Sequence, residues 1–576
     1  HSYLSNAPFS KKISRVNVLP VIVGYGGINA AGRSAGDYAL KRMVYENLSN
    51  TEKIKTIESL AQLTSNPDEK YNLDNSLIRK LSNNFFEEVS HRNPSLPGLA
   101  AGQLPTGFNP SETYNARQHP RSLAMSIFAA SDALKSIGLN WDEVSAKVGP
   151  ENVSCLSGCA ISTADKYGMG GFYQAQLSGA RTTSKHLAMS LGEMSADFVH
   201  AYVLGSMGVT GNHTGACATF QYNLSMGIDL INSGQSKICF VGAAESGLVP
   251  EVYEGFAAAK GLAEDKNLIN LQMQLGENSE EVNYRKACRP FGENVGMSIG
   301  ESAQFVVLMA DDLALELGCN IYGAALSSHI HADGYKKSIS GPGAGNYITI
   351  GRVLNEVSDA FGTDALNRVL VHAHGTGTPQ NRVTESHILS SLANAFGIAA
   401  MPVTAIKSHL AHSLAAAGGD QLTSMLGSWQ LDIVPGITST PELAENVYKS
   451  NLSFLLKNQQ IKKTEYDFAI LNAKGFGGNN GTSLIMSPSK TIEILKQKHT
   501  VKKWKSFKKI QENTIIELEN FDNELRSKPP LARYKFGEGV IDGESELEFS
   551  NSNLIVKSSN QKISIKSELP YKKFFK

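Results

Sequence analysis

The sequence predicts an α/β protein built as two similar halves, with its chemistry gathered where strands end in loops. Three observations carry that prediction. Short apolar runs stop at small or polar loop residues in both halves: Leu19-Pro20-Val21-Ile22-Val23 ahead of Gly24, Val369-Leu370-Val371 ahead of His372-Ala373-His374-Gly375, and Phe468-Ala469-Ile470-Leu471 ahead of Asn472-Ala473-Lys474-Gly475. Such runs read as buried strands feeding loops, and ligands of α/β sheets gather beyond strand carboxyl ends. Segments with helical apolar spacing lie between them. At 576 residues the chain also exceeds one ordinary core, so roughly two to four packing units are expected.

Taken in order, residues 1–18 read as a tail, and His1, standing where an initiator Met would, reads as a remnant outside the fold. Residues 19–27 form the first strand. Residues 45–120 are polar and rich in Asn and Pro, an excursion from the first half. Residues 121–139 have helical spacing with Gly138 at the stop. Cys217 opens a second helix that carries Leu224, Ile228 and Ile231 on one side and closes at Gly234. Ile238-Cys239-Phe240-Val241 is a strand. The first half is placed at 19–310, the second at 311–488. Beyond that the character changes: residues 489–576 hold 18 Lys and Arg against 12 Asp and Glu. The stretch from Lys502 to Lys509 is basic, and residues 545–549 and 553–556 alternate like strands. This basic, β-rich extension reads as a packed surface module.

Composition narrows the functional classes. Lys and Arg total 54, matched by 54 Asp and Glu, so neither nucleic acid nor a membrane surface is implied as a partner. No apolar run approaches the roughly 20 residues that cross a bilayer, and no signal-peptide core is apparent, so a cytoplasmic protein without a membrane span is expected. Six cysteines scattered through apolar strings read as reduced thiols. Cys155 and Cys159 lack a second pair at zinc spacing, and no metal is expected.

Three segments hold residue types suited to acyl transfer. Cys217 sits in Gly215-Ala216-Cys217-Ala218-Thr219 at a helix start, where backbone N–H dipoles favour a thiolate. His374 precedes Gly375-Thr376-Gly377-Thr378, a loop able to approach a ligand closely. His412 ends Lys407-Ser408-His409-Leu410-Ala411-His412, ahead of small residues that permit tight helix packing. Each, taken alone, is more often a structural residue than a reactive one.

Together they resemble the β-ketoacyl-acyl-carrier-protein synthases of the thiolase fold. The likeness covers residues 19–488 and includes Asn472 with Gly475-Phe476-Gly477-Gly478, similar to that family's glycine-rich gate. A narrower likeness, carried by residues 103–108, Arg117-Gln118-His119-Pro120-Arg121, residues 289–294 and Pro379-Gln380-Asn381-Arg382-Val383-Thr384-Glu385-Ser386, is to the long-form synthases of pseudomonads and relatives, which begin fatty-acid synthesis from acetyl-CoA and malonyl-ACP.

The resemblance implies two pseudo-repeated α-β-α-β-α halves, a homodimer, an acyl carrier protein as partner, acyl-CoA and malonyl-ACP as substrates, and no cofactor beyond the phosphopantetheine they carry. It implies Cys217 as nucleophile and His374 and His412 as donors to an enolate oxygen, with the N–H groups of Cys217 and Phe476 forming an oxyanion hole. Lys407 and Glu385 would pair to fix the histidine loops, and Thr376 and Thr378 would meet the pantetheine arm. Phe220, three residues beyond the nucleophile, would narrow the acyl cavity. Four departures stand out. Arg382 replaces an acid, Ala411 a glycine, Lys474 an aromatic or small residue, and Gly292 an Asp.

Other readings compete. A thiolase needs a second cysteine in the later half, whereas the last one here is Cys319. A Cys-His-Asn synthase would lack the second histidine segment, and an inactive partner subunit would lack Cys217. An elongating or polyketide-type synthase keeps the chemistry with a longer primer. A metal-dependent hydrolase would have to draw on the close pairs His329/His331, His372/His374 and His409/His412, with no metalloprotease motif to support it.

Overall fold

The computed structural model describes residues 18–35, 40, 79–80, 96–105, 107–161, 163–177, 179–277, 280–338, 341–525, 530–558 and 561–566. Residues 1–17 of the expected tail, and 45–78 and 81–95 of the expected excursion, lie outside them.

One mixed sheet runs through both halves. In the first half its strands are β1 (Pro20–Asn29), β2 (Val153–Leu156), β3 (Thr210–Gly211), β4 (Ile238–Glu245) and β5 (Ser302–Ala310). In the second half they are β6 (Gly323–Ala332), β7 (Val369–His372), β8 (Met401–Thr404), β9 (Leu452–Phe454), β10 (Phe468–Gly475) and β11 (Asn479–Met486). The spatial order is β9-β8-β7-β10-β11-β6-β1-β5-β4-β2-β3. Setting aside the edge strand β9, both halves therefore read third, second, fourth, fifth, first. The orientations repeat too: β2 is parallel to β3 and β4, as β7 is to β8 and β10, while β5 and β11 run antiparallel to both their neighbours. The halves meet antiparallel at β1 and β6 through two register pairs, Val21↔Ala324 and Ile22↔Gly323. An antiparallel junction between like strands relates the halves by a pseudo-two-fold, which is the repeat expected from the thiolase-like pattern.

Helices complete the layers. On the outside, α1 (Arg121–Lys135) covers β1 and β5, and α3 (Gly345–Phe361) covers β6 and β11. Between the sheet halves lie α2 (Thr219–Asn232) and α5 (Ala417–Leu431), while α4 (Pro379–Ala395) follows the His374 loop. The central pair is buried almost throughout because small residues let backbones approach: a Cβ on Gly419 would stand 3.1 Å from the Phe220 ring and 2.5 Å from Gln304. Arg121 opens its helix as predicted, and Gly138 follows its end in the left-handed region at φ +71°.

The extension is not β-rich throughout as expected: it opens with two helices, and its strands come only near its end. The basic stretch lies on α7 (Val501–Leu525), which follows α6 (Pro488–Lys498) and turns Phe507, Gln511 and Thr514 inward. Gln511 Nε2 donates to the Cys319 carbonyl at 3.3 Å, and Leu518 stands so close to Gly138 that a Cβ there would lie 2.8 Å from it. Further on, Tyr534 packs its ring on Tyr114 and Tyr202, with centroids 4.7 and 4.9 Å apart. The expected strands are present as Leu547–Phe549 and Asn553–Val556, in a small antiparallel sheet with Gln561–Ser564. These contacts are to the first half, apart from Cys319, which lies just past its expected boundary at residue 310. All six cysteines are free and buried, and among the described residues no helix is long and apolar enough to cross a membrane.

Candidate active site

The chain entering Cys217 is bent before it becomes a helix. Ala216 has φ +50°, and a 3-10 turn (Ala216–Ala218) precedes α2, so Cys217 lies in the turn and not in the helix proper. Gly475 closes on this turn from β10; a Cβ there would stand 2.1 Å from the Gly215 carbonyl oxygen. The nucleophile segment of the first half and the gate of the second are thus pressed backbone to backbone.

The expectation that the helix start lowers the Cys217 pKa is not met in this resting state. Burial pushes the thiol up to about 11, against the opposing pull of the Lys407 ammonium and of the N–H groups of Phe476 and Cys217 itself. The cost of removing a thiolate from water outweighs the dipoles that face it.

His374 and His412 come together with ring centroids 5.3 Å apart and planes at 87°. Both are buried, which holds their pKa values well below the usual histidine value, and Lys407 adds to the effect on each. Both rings are therefore neutral near pH 7. Leu414 N donates to His412 Nδ1 at 3.2 Å, so the ring proton is on Nε2, where it is available as a donor. His374 Nδ1 is buried without a partner among the described residues.

Lys407 and Glu385 do not meet as a contact ion pair. They clamp one peptide segment from two sides instead. Lys407 Nζ donates to the His374 carbonyl at 2.6 Å, while the N–H groups of His374 and Gly375 donate to the two Glu385 oxygens at 2.7 and 2.8 Å. Asn472 Nδ2 and Asn381 Nδ2 also donate to Glu385, at 2.7 and 3.2 Å. Thr378 caps α4 and shares a 3.0 Å hydrogen bond with Thr376. The motifs did not reveal Gln421, whose Nε2 donates to the carbonyls of Ala373 and Asn472 at 3.0 and 2.9 Å, or Asp420, which accepts from Ser413, Ser302, Asn29 and Gln304. Asp420-Gln421, a polar pair in the first turn of a helix that opens with Ala417-Gly418-Gly419, was the available signal.

The departures resolve differently. Arg382, in the acid's place, is well satisfied: it donates to Asn446 Oδ1, the Gly292 carbonyl and Glu293 Oε2, each at 2.9 Å. Gly292 belongs to the same adjustment, since a Cβ there would lie 2.7 Å from Thr440. Ala411 keeps a backbone suited to glycine, with φ +62° and ψ −168°. Lys474 Nζ is buried with no hydrogen-bond partner among the described residues.

Two cavities meet at Cys217. One of about 660 Å³ is apolar, walled by residues such as Ile161, Ala164, Met169, Val252 and Phe256. The other, about 330 Å³, is polar and includes His374, Thr376, Thr378, His412 and Lys474. Phe476 borders both and is half exposed. Phe220 borders neither; its ring is fully buried toward Gly419, so it does not narrow the acyl cavity in this structure. The six paired histidines do not form a metal centre: His329 bonds Glu356, His409 bonds the Gly436 carbonyl, and among the described residues no three His, Cys, Asp or Glu side chains are grouped to hold an ion.

Comparison with known proteins agrees with this architecture. The beta-ketoacyl synthase N-terminal domain matches residues 21–314, and the C-terminal domain of the same family matches residues 322–440. The chain is 36% identical over 631 aligned residues to beta-ketoacyl-[acyl-carrier-protein] synthase FabY of Pseudomonas aeruginosa, covering 96% of this chain and 98% of that protein. The crystal structure of the ketosynthase FabY from P. aeruginosa superposes with a TM-score of 0.90 at 34% identity, over 99% of this chain and all of that one. A type II polyketide ketosynthase solved with its acyl-carrier protein shares the fold at a TM-score of 0.59 and 17% identity, over 82% of this chain and 99% of that one. Two family domains in order, and a relative similar from end to end, show that the chain belongs to the beta-ketoacyl synthase family.

Proposed function

We propose that this protein joins an acyl primer to malonyl-ACP by decarboxylative condensation, giving a 3-oxoacyl-ACP. The observation that carries the reading is the meeting of Cys217, His374 and His412 at one cavity, on segments from both halves. In the first half-reaction Cys217 Sγ attacks the primer thioester, the N–H groups of Cys217 and Phe476 receive the oxyanion, and the primer's C–S bond breaks so that its thiolate departs with the proton the Cys217 thiol gives up. In the second, malonyl-ACP loses carbon dioxide, its enolate carbon attacks the acyl-cysteine carbonyl, and the acyl–Sγ bond breaks to release 3-oxoacyl-ACP and the Cys217 thiolate, which takes up a proton. His412 Nε2–H and the neutral His374 donate to the enolate oxygen. A donor that stays neutral suits this step, because it stabilises developing charge without giving up its proton beforehand. Lys407 and Glu385 act through the backbone of His374, and Thr376 and Thr378 meet the pantetheine arm.

The primer is acetyl-CoA on the likeness to the long-form synthases. A longer primer is favoured by one observation, the apolar cavity of about 660 Å³ that opens directly at Cys217. The partner would be an acyl carrier protein, in keeping with the name of FabY and with the carrier protein bound to the polyketide ketosynthase. A homodimer is supported by the exposed Tyr173, Leu177 and Leu187 in the segment that walls this cavity or follows it.

Acetyl-, hexanoyl- and decanoyl-CoA offered with malonyl-ACP, with products identified by mass, test both parts. A 3-oxoacyl product in wild type and a fall of roughly a thousandfold or more in Cys217→Ala are expected. Condensation by the alanine variant at the wild-type rate would overturn the reading. Preference for acetyl decides the primer in favour of initiation; equal use of decanoyl decides for the longer chain.

A further inference from the structure

Three lysines line the polar cavity: Lys260 is exposed, Lys336 lies 3.9 Å from Asp333 Oδ2, and Lys474 alone holds its ammonium buried. Lys407 holds the His374 carbonyl and Arg382 has three close acceptors. Lys474, the penultimate residue of β10, faces the cavity that also contains Cys217, His374 and His412, and its Nζ is buried without a partner among the described residues.

The nearby carboxylates are engaged elsewhere. Glu385 takes four donors, from His374 N, Gly375 N, Asn381 and Asn472. Asp333 Oδ1 accepts from Asn480 Nδ2 and Gly345 N at 2.8 and 3.2 Å, and its Oδ2 lies 3.9 Å from Lys336 Nζ. Burial lowers the Lys474 pKa against the pull of Asp333 and Glu385, so an unpaired ammonium here is costly and an anion entering the cavity would relieve that cost.

Resting on the condensation proposed above, we infer that Lys474 receives the free carboxylate of the malonyl unit. The acyl primer carries no such charge, so the lysine sorts the two thioesters: the uncharged acyl chain fits the apolar cavity and the carboxylate fits the polar one. The ammonium also lowers the pKa of His374, which keeps that ring a neutral donor beside the bound anion.

The ion pair binds the malonyl ground state and weakens as negative charge moves from the carboxylate toward the enolate oxygen. Removing it should therefore weaken binding without slowing the bond-breaking step, a separation that a structural role would not give. A charge-assisted contact of this kind corresponds to roughly a ten- to hundredfold change in binding.

The test is steady-state condensation by wild type, Lys474→Met and Lys474→Gln, with malonyl-ACP varied, alongside mass detection of the acyl group on Cys217. The expected result is a KM for malonyl-ACP raised by about ten- to a hundredfold in both variants, with kcat not lowered and Cys217 still acylated, and substantial recovery in Lys474→Arg. An unchanged KM in variants that acylate Cys217 would overturn the assignment and leave the ketosynthase reading intact. A fall in kcat at unchanged KM would likewise overturn it, by giving Lys474 a role in the transition state. Wild type that neither acylates Cys217 nor condenses would overturn both.

Discussion

The two walls of the reaction site are built on different principles. On the acyl side, the first half supplies most of an apolar cavity, to which Leu414 and Phe476 of the second half add, and its lining is defined by packing. On the enolate side, the second half supplies loops pinned by hydrogen bonds: Glu385 accepts four, Gln421 Nε2 donates to three carbonyls, and Asp420 accepts four from side chains. Packed apolar walls tolerate changes of shape at modest cost, whereas a buried polar network fails when one member is removed. Substitutions on the acyl side should therefore change which primer is used, and those on the enolate side whether the reaction occurs.

The largest effect that would sharpen this contrast is His412→Ala. Losing one donor to the enolate oxygen should slow malonyl decarboxylation by about a hundred- to a thousandfold while acyl transfer to Cys217 continues. Decarboxylation at the wild-type rate would remove the enolate side from the chemistry altogether. Next is Phe220→Ala, in the core between the two walls. Its ring is fully buried, so unfolding should show about 3–5 kcal/mol lost stability, with no shift toward longer primers. A gain in decanoyl use would mean that the ring bounds the cavity after all.

The pH dependence of Cys217 gives a third, smaller effect. With the thiol pushed up from 9.0 to about 11, it is protonated at neutral pH, so alkylation by iodoacetamide should still be climbing with pH past 9 and be half-maximal near 11. A plateau near pH 7 would show that the dipoles at the turn outweigh burial. The smallest expected effect is Ala411→Gly. Relief of a residue at φ +62° and ψ −168° should stabilise the fold by about 1 kcal/mol, read from denaturant unfolding, and little change in condensation rate is expected.

The sequence made the reactive groups legible because they sit in runs with unusual local chemistry: a cysteine among small residues, histidines beside glycines, an alanine where the backbone asks for glycine. It was much less informative about direction. Phe220 follows a switch from a 3-10 turn to an α-helix, so helical spacing from Cys217 misplaced its ring, and the glycine that receives it lies nearly two hundred residues away on α5. The Lys407 and Glu385 side chains were rightly brought to one region, but their shared contact is the backbone of His374, and spacing carries no information about main-chain acceptors. Charge alone could not separate Arg382 from Lys474 either; only the positions of their neighbours show that one is fully bonded and the other is not.

The strand order has a consequence for synthesis on the ribosome. Strand β11 ends at Met486 yet lies inside the sheet, between β10 and β6, and α7 follows it in the chain before folding back onto the first half. During translation, β6 thus keeps one long edge unpaired until nearly all of the sheet has been made. Exposed edges of this kind recruit other chains. Shortened transcripts, stalled ribosomes and expression of the second half without β11 should consequently yield aggregates, and chaperone contacts should cluster late, when the missing strand is about to emerge.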